Sequence, residues 1–286
     1  MEFVRERRGT MELSHVPTLR ERGLLRTRML FPLSVAASAI GFASALLLYP
    51  AAVSILSVVF LAFALAPLAE SLLDQNRAQI WEENIPANAA NQQLATGLSA
   101  IFMGIFFAFF MGVMFTESQL VEVWFEWQLE RLPAASVEEM SFGSLDHILG
   151  RNTIVAIGAF IAAMVYRHGG MILVLAWNAS TWGTVFSCVI LMATEDQSSN
   201  LFVYSLKTLF CILPHLIVEA IAYILIAMSG VFLSRALTRY SWSSEAFLQV
   251  GGAVLNILLM AIVLLAVAGA LEAFWAPKAI QFTFGL

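Results

Sequence analysis

Seven apolar runs are spaced along the chain between polar or acidic stretches, and each is read as a helix, because a backbone crossing hydrocarbon must satisfy its own hydrogen bonds. The first two, Leu30 to Leu48 and Ala51 to Ala69, are each 19 residues long. At about 1.5 Å per residue that length crosses a hydrocarbon core of roughly 30 Å. Tyr49-Pro50 leaves room only for a tight connection, so this pair is predicted to be a helical hairpin. Ala37, Gly41 and Ala45 share one face at a spacing that lets a neighbouring backbone come close. Leu98 to Phe115 is the third span. The fourth, Thr153 to Tyr166, has only 14 residues, short of the usual count of about 20. It must continue outward through Leu145 to Asn152 or be shielded by protein. Arg167-His168-Gly169-Gly170 then allows a tight turn, with Gly169 and Gly170 assigned to close packing, into the fifth span, Met171 to Ala193. Leu209 to Leu233 is the sixth. Phe247 to Trp275, with Asn256 inside and Glu272 near its end, is the seventh.

The polar stretches divide the chain. Residues 1–28 form a basic arm with seven arginines against four glutamates, suited to anionic lipid head groups. Residues 29–97 hold the hairpin and a connector, Glu70 to Thr96. Residues 98–286 form a five-span core interrupted by an acidic segment, 117–151. In that segment Glu122, Glu126 and Glu130 recur every four residues opposite Leu120, Val121, Trp124 and Phe125. The stripe predicts an amphipathic helix over Leu120 to Leu132, lying on the outer leaflet with Trp124 and Trp127 at head-group depth.

The fold class is therefore all-α, a polytopic transmembrane bundle in the cell membrane. A hydrophobic content of 60% against 12% charged supports it, as does a mean hydropathy of +0.81. Orientation follows from the basic residues, which are retained on the cytoplasmic side. With the N-terminus inside and the C-terminus outside, eleven of fifteen lysines and arginines fall inside, leaving Arg131, Arg151, Lys207 and Lys278 outside. The first run is read as a span and not a cleaved signal peptide. The two cysteines, Cys188 and Cys211, lie within apolar runs and offer no disulfide framework. No phosphate-binding loop, zinc-protease motif, nucleophile elbow or basic nucleic-acid stripe is found, so nucleic acid is not an expected partner and any ATPase would be a separate chain.

The sixth span carries the chemistry. His215 and Glu219 lie in an apolar helix, four residues apart and so on one face, just after Pro214, which is expected to weaken the helix where they emerge. A carboxylate in hydrocarbon is costly enough to require a partner or a use. Asn152 and Asn178 are the amides expected to complete an intramembrane polar cluster with them, each side chain saturating another's donors and acceptors. Three readings stay open for this set: an interhelical hydrogen-bond clamp, a proton or ion path through Glu219, and a metal site with His215 and Glu219 as ligands. His168 is the other histidine beside a span. Asp146 and His147 are read as a solvated surface pair. No cofactor is expected beyond that metal ion.

The residues of spans four to six resemble the membrane core of the stage II sporulation protein M family. The resemblance is carried by ILGRNTIVAIGAFIAAMVYRHGG, LVLAWNASTWGT and LPHLIVEAIAYILIAMSG, with Asn152, Asn178, Gly183 and the Pro214-His215 pair followed by Glu219. It extends from Leu98 to the C-terminus, and the hairpin before it is similar to that of longer, archaeal-type members. The chain has Arg151-Asn152 where the family usually has Asn-Asn, Leu216 where a Gly follows Pro-His, and Ala179 where a Gly stands beside the Asn of the fifth helix. The resemblance implies a non-enzymatic scaffold that organises envelope or membrane-remodelling proteins, as sporulation members do for peptidoglycan-remodelling enzymes. Two alternatives stand beside it: a membrane subunit of a transporter, and an intramembrane metal-dependent hydrolase. The scaffold reading is preferred, since the chain has no large extracytoplasmic domain and its hydropathy shows no inverted repeat. The expected partners are the bilayer, other membrane or envelope proteins, and a further copy of the chain.

Overall fold

The computed structural model describes residues 19–130, 143–195 and 200–285. Most of the basic arm and the part of the acidic segment that includes Arg131, Leu132, Glu138 and Glu139 lie outside them. Helix α1 (Leu19–Leu48) turns through a 3-10 segment, Pro50–Ala52, into α2 (Val53–Trp81), forming the hairpin. Helix α3 (Ala87–Met114) follows at once. The connector expected over Glu70 to Thr96 is thus almost wholly helix, with only residues 82–86 between α2 and α3. Its amides explain why a polar sequence stays helical there. Asn76 Nδ2 donates to Asn91 Oδ1 at 3.0 Å and Gln79 Nε2 to Gln93 Oε1 at 2.8 Å, tying the two helices side by side beyond their apolar portions.

A helical stretch, Leu145–Glu195, is interrupted at Arg167 (φ 54°, ψ −132°), which divides it into α6 (145–166) and α7 (168–195). The two halves fold back on each other. A Cβ added at Gly170 would sit 2.1 Å from the carbonyl oxygen of Ala162, whereas in a straight helix eight residues separate groups by about 12 Å. Gly170 thus packs directly against α6, whereas a Cβ at Gly169 would meet nothing within 4 Å. The fourth span gains its length by continuing through Leu145, the first of the two alternatives. Among the described residues six helical stretches are long and apolar enough to cross a membrane, and the folded one supplies two crossings, which agrees with about seven spans.

Helix α8 (Leu201–Arg239) is the centre of the bundle. Of its apolar window 72% is buried inside the protein, against 28 to 44% for the other spans. It packs on α6, α9 (Glu245–Ala270) and α10 (Ala276–Phe284). Small residues set the close approaches. Gly230 on α8 lies against the Phe160 carbonyl of α6, and Gly183 on α7 against Phe106 and Phe110 of α3, each where a Cβ would fall 2.5 Å from a backbone oxygen. Pro214 does not break α8, which runs through it without interruption. A proline in a membrane helix is tolerated where neighbouring helices support the freed carbonyl. The seventh span ends differently from the expected Phe247 to Trp275: α9 widens into a π-helical turn, Leu271–Trp275, and α10 follows.

The acidic segment corrects the expected surface helix. It forms two short helices, α4 (Ser118–Trp124) and α5 (Glu126–Leu129), separated at Phe125. Val121, Phe125 and Gln128 are buried in the bundle end instead of lying on it. Phe125 stacks on Phe42 at 5.5 Å and meets Phe109 edge-on at 6.1 Å. Gln128 exchanges hydrogen bonds with Ser54, its Nε2 donating to the Ser54 carbonyl at 3.2 Å while its Oε1 accepts from the hydroxyl. The aromatic residues that made the stripe look interfacial are partly used as plugs between α1, α2 and α3. Trp127 keeps an exposed face.

Candidate functional site: a polar junction of three spans

Helix α8 carries His215, Glu219 and Tyr223 at successive steps of four, so they form one stripe along a buried face. All three are enclosed, at 6%, 7% and 1% exposure. Glu219 finds its partner one turn along its own helix, where the Tyr223 hydroxyl donates to the carboxyl group. The expected bond between His215 and Glu219 is not among the described interactions. His215 Nδ1 and Asn152 Nδ2 are both buried and have no hydrogen-bond partner among the described residues.

Two further charged residues approach the stripe from other helices. Arg151 begins the second turn of α6, and Glu272 stands on the π turn that ends α9. Arg151 Nη2 and Glu272 Oε1 are 3.3 Å apart. The guanidinium lies near enough to act electrostatically on His215, Glu219 and Tyr223, and the Glu272 carboxyl acts on Glu219 and Tyr223. The π turn matters here because such a turn inserts a residue into the helix and changes which side chains face inward. One interhelical ion pair therefore ties α6 to the end of α9, and the carboxyl–tyrosine hydrogen bond lies within α8 beside it.

The expected residues separate into two groups. Asn152, His215 and Glu219 are all buried, with no described bond joining Asn152 to the other two. Asn178 does not join them through its amide, whose Nδ2 donates to the Val174 carbonyl of its own helix at 2.9 Å. Gly183 packs α7 on α3. His168 is half-buried beside the Arg167 turn, and Asp146 and His147 are exposed at the start of α6. Among the described residues no group of three or more His, Cys, Asp or Glu side chains is arranged to hold a metal ion. The sequence reading missed Tyr223, Arg151 and Glu272. Tyr223 was detectable by the same four-residue step that linked His215 to Glu219. Arg151 and Glu272 both end spans on one side of the bundle, which was the only signal for their pairing.

The fold and junction define a class: a polytopic membrane protein of about seven helical spans, its interior polar groups gathered where the fourth, sixth and seventh meet. The family model for stage II sporulation protein M matches residues 94–277, more than half of the chain, and the chain belongs to that family. The matched region runs from the first turns of α3 to the first turn of α10 and contains every residue of the junction. Helices α1 and α2 lie before it. No curated protein and no solved structure matches the chain.

Proposed function

We propose that this protein is a non-enzymatic membrane scaffold that holds partner proteins of the envelope or of a membrane-remodelling machine, seated in the cell membrane with its N-terminus inside and its C-terminus outside. The observation that supports this reading is the use made of Glu219. A carboxyl group serving as a proton or ion carrier needs an exchange route, whereas this one is enclosed and hydrogen-bonded to Tyr223. Arg151 and Glu272 close the junction above it. Around this stripe the central α8 packs on both the fourth and the seventh span, a fixed arrangement of the kind a docking platform requires. The basic residues at the ends of α2, α6 and α8 support the orientation.

The test is recovery of partners. Tagged full-length protein, extracted in mild detergent from its native membrane, is expected to bring down a fixed set of envelope or transport-system proteins. Glu219→Gln, which preserves shape and an acceptor for Tyr223, is expected to retain that set. A protein that purifies alone, and that moves ions across liposomes in a way abolished by Glu219→Gln, would replace the scaffold reading with a transport one.

A further inference from the structure

The opposite end of the bundle from the Arg151–Glu272 pair holds a cavity of about 380 Å³. It lies where the last turns of α2 and α8 meet the first turns of α3 and α9. Three arginines line it, Arg77, Arg235 and Arg239, and no aspartate or glutamate does. Leu73, Ile80, Phe232 and Val250 give its wall an apolar stretch, and four amide side chains line it beside them. At the rim Trp81 and Tyr240 approach to 6.2 Å, an aromatic pair of the kind that marks the membrane–water boundary.

The arginines have capacity to spare. Arg235 pairs with Asp74 at 2.7 Å and Arg77 with Glu82 at 3.2 Å, but both carboxylates lie outside the lining and are largely exposed, at 64% and 62%. Exposed pairs of this kind hold their partners weakly. Arg77 Nε is buried without a hydrogen-bond partner, and Arg239 has no ion pair among the described residues. The C-terminal dipoles of α2 and α8 oppose an anion in the cavity, an effect smaller than that of three full positive charges. Helix α3 works the other way to a smaller extent: the Ala89 N–H is taken by Asn88 Oδ1, but its N-cap residue Pro86 offers no side-chain cap and the N-terminal dipole points to the same region.

We propose that this cavity binds an anionic phospholipid, with the phosphate held by Arg77, Arg235 and Arg239 and an acyl chain lying along the apolar stretch of the wall. Guanidinium forks match phosphate oxygens in pairs, a geometry that an ammonium group cannot offer. A free phosphate would use the arginines and leave that stretch empty, so the combined chemistry selects an amphiphile. The leaflet favoured by the orientation is the one where anionic lipids meet basic protein surfaces.

The experiment uses the full chain in micelles doped with phosphatidylglycerol, phosphatidylcholine or glycerol 3-phosphate, read by native mass spectrometry and by melting temperature. The parent is expected to retain one phosphatidylglycerol with about tenfold preference over phosphatidylcholine, which offers the same phosphate oxygens but adds a choline cation that the three guanidiniums repel. Arg239→Gln and the double variant Arg77→Gln/Arg239→Gln should each lose that preference. Lys278→Gln, at the other end of the bundle, should keep it. Melting in phosphatidylcholine alone reports folding of the variants. If the double variant does not fold, Arg239→Gln, which breaks no described ion pair, decides alone. Equal retention of the two lipids, or undiminished selectivity in the arginine variants, overturns the proposal. Displacement of phosphatidylglycerol by equimolar glycerol 3-phosphate would assign the cavity to a free phosphate ester and overturn the lipid assignment.

Discussion

The hydrogen bond between Tyr223 and Glu219 offers the sharpest test of the junction, because both side chains are enclosed and no water can substitute for a lost partner. Tyr223→Phe removes one hydroxyl and leaves an acceptor unsatisfied, at a cost of about 1 kcal/mol. Glu219→Leu removes the acceptor and strands the tyrosine hydroxyl, which costs about 1 to 3 kcal/mol. The double variant replaces both partners by apolar groups of similar size, so nothing polar is stranded. Its loss should therefore fall short of the sum of the single losses by about 0.6 to 1.7 kcal/mol, the range such pairs reach inside membrane proteins. Unfolding of each variant by titration with a denaturing detergent, followed by circular dichroism, gives the four free energies of the cycle. Glu219→Gln is the control, since its amide oxygen still accepts from Tyr223 and its stability should lie close to that of the parent. Strict additivity of the two single losses would refute the hydrogen bond between Tyr223 and Glu219.

Four other outcomes follow from the same physical picture. Arg151→Asn leaves the mostly enclosed Glu272 carboxyl without its cation; it should cost about 1 kcal/mol, and Glu272→Gln added to it should recover most of the loss in the same detergent titration. Gly183→Leu forces a side chain into the Phe106 carbonyl and should cost about 1 to 3 kcal/mol by overpacking, read as a lower melting temperature. Quenching by lipid-depth probes should reach the exposed Trp127 more readily than Trp124, which packs edge-on against Phe42 at 5.7 Å; equal quenching would argue against the inserted acidic segment. Single cysteines introduced at Met1 and Leu286 should be labelled from opposite sides of the membrane, and labelling from one side would exclude seven spans.

The apolar runs made the spans legible because bilayer thickness fixes helix length, and that constraint acts on sequence directly. Helix ends were less legible. The amides Asn76, Gln79, Asn91 and Gln93 fall in a stretch expected to be a connector with helical turns, yet they pair across two helices and extend both beyond the apolar core. The acidic segment misled for a related reason. A stripe of Trp, Phe and Val opposite glutamates fits a membrane surface as well as it fits the open end of a bundle, and only tertiary contacts choose between them. Phe125 found Phe42 and Phe109, and the buried Gln128 found Ser54, a partner 74 residues away.

The polar junction shows where periodicity stops being informative. Spacing by four put His215 and Glu219 on one face of α8, and both are indeed buried there, but a shared face does not decide which neighbour accepts a hydrogen bond. Tyr223 lies one step further along the same stripe and takes Glu219. Glu272 was less accessible still, because a regular helix continued through Leu271–Trp275 would carry its side chain along a different line from the one the π turn gives it. The widened turn brings Glu272 to Arg151. Glu272 is the mostly enclosed member of the pair and Arg151 the exposed one, so the guanidinium supplies the counter-charge that the carboxylate requires. The local irregularity of the seventh span and the arginine before the fourth are thus two halves of one electrostatic arrangement beside Glu219.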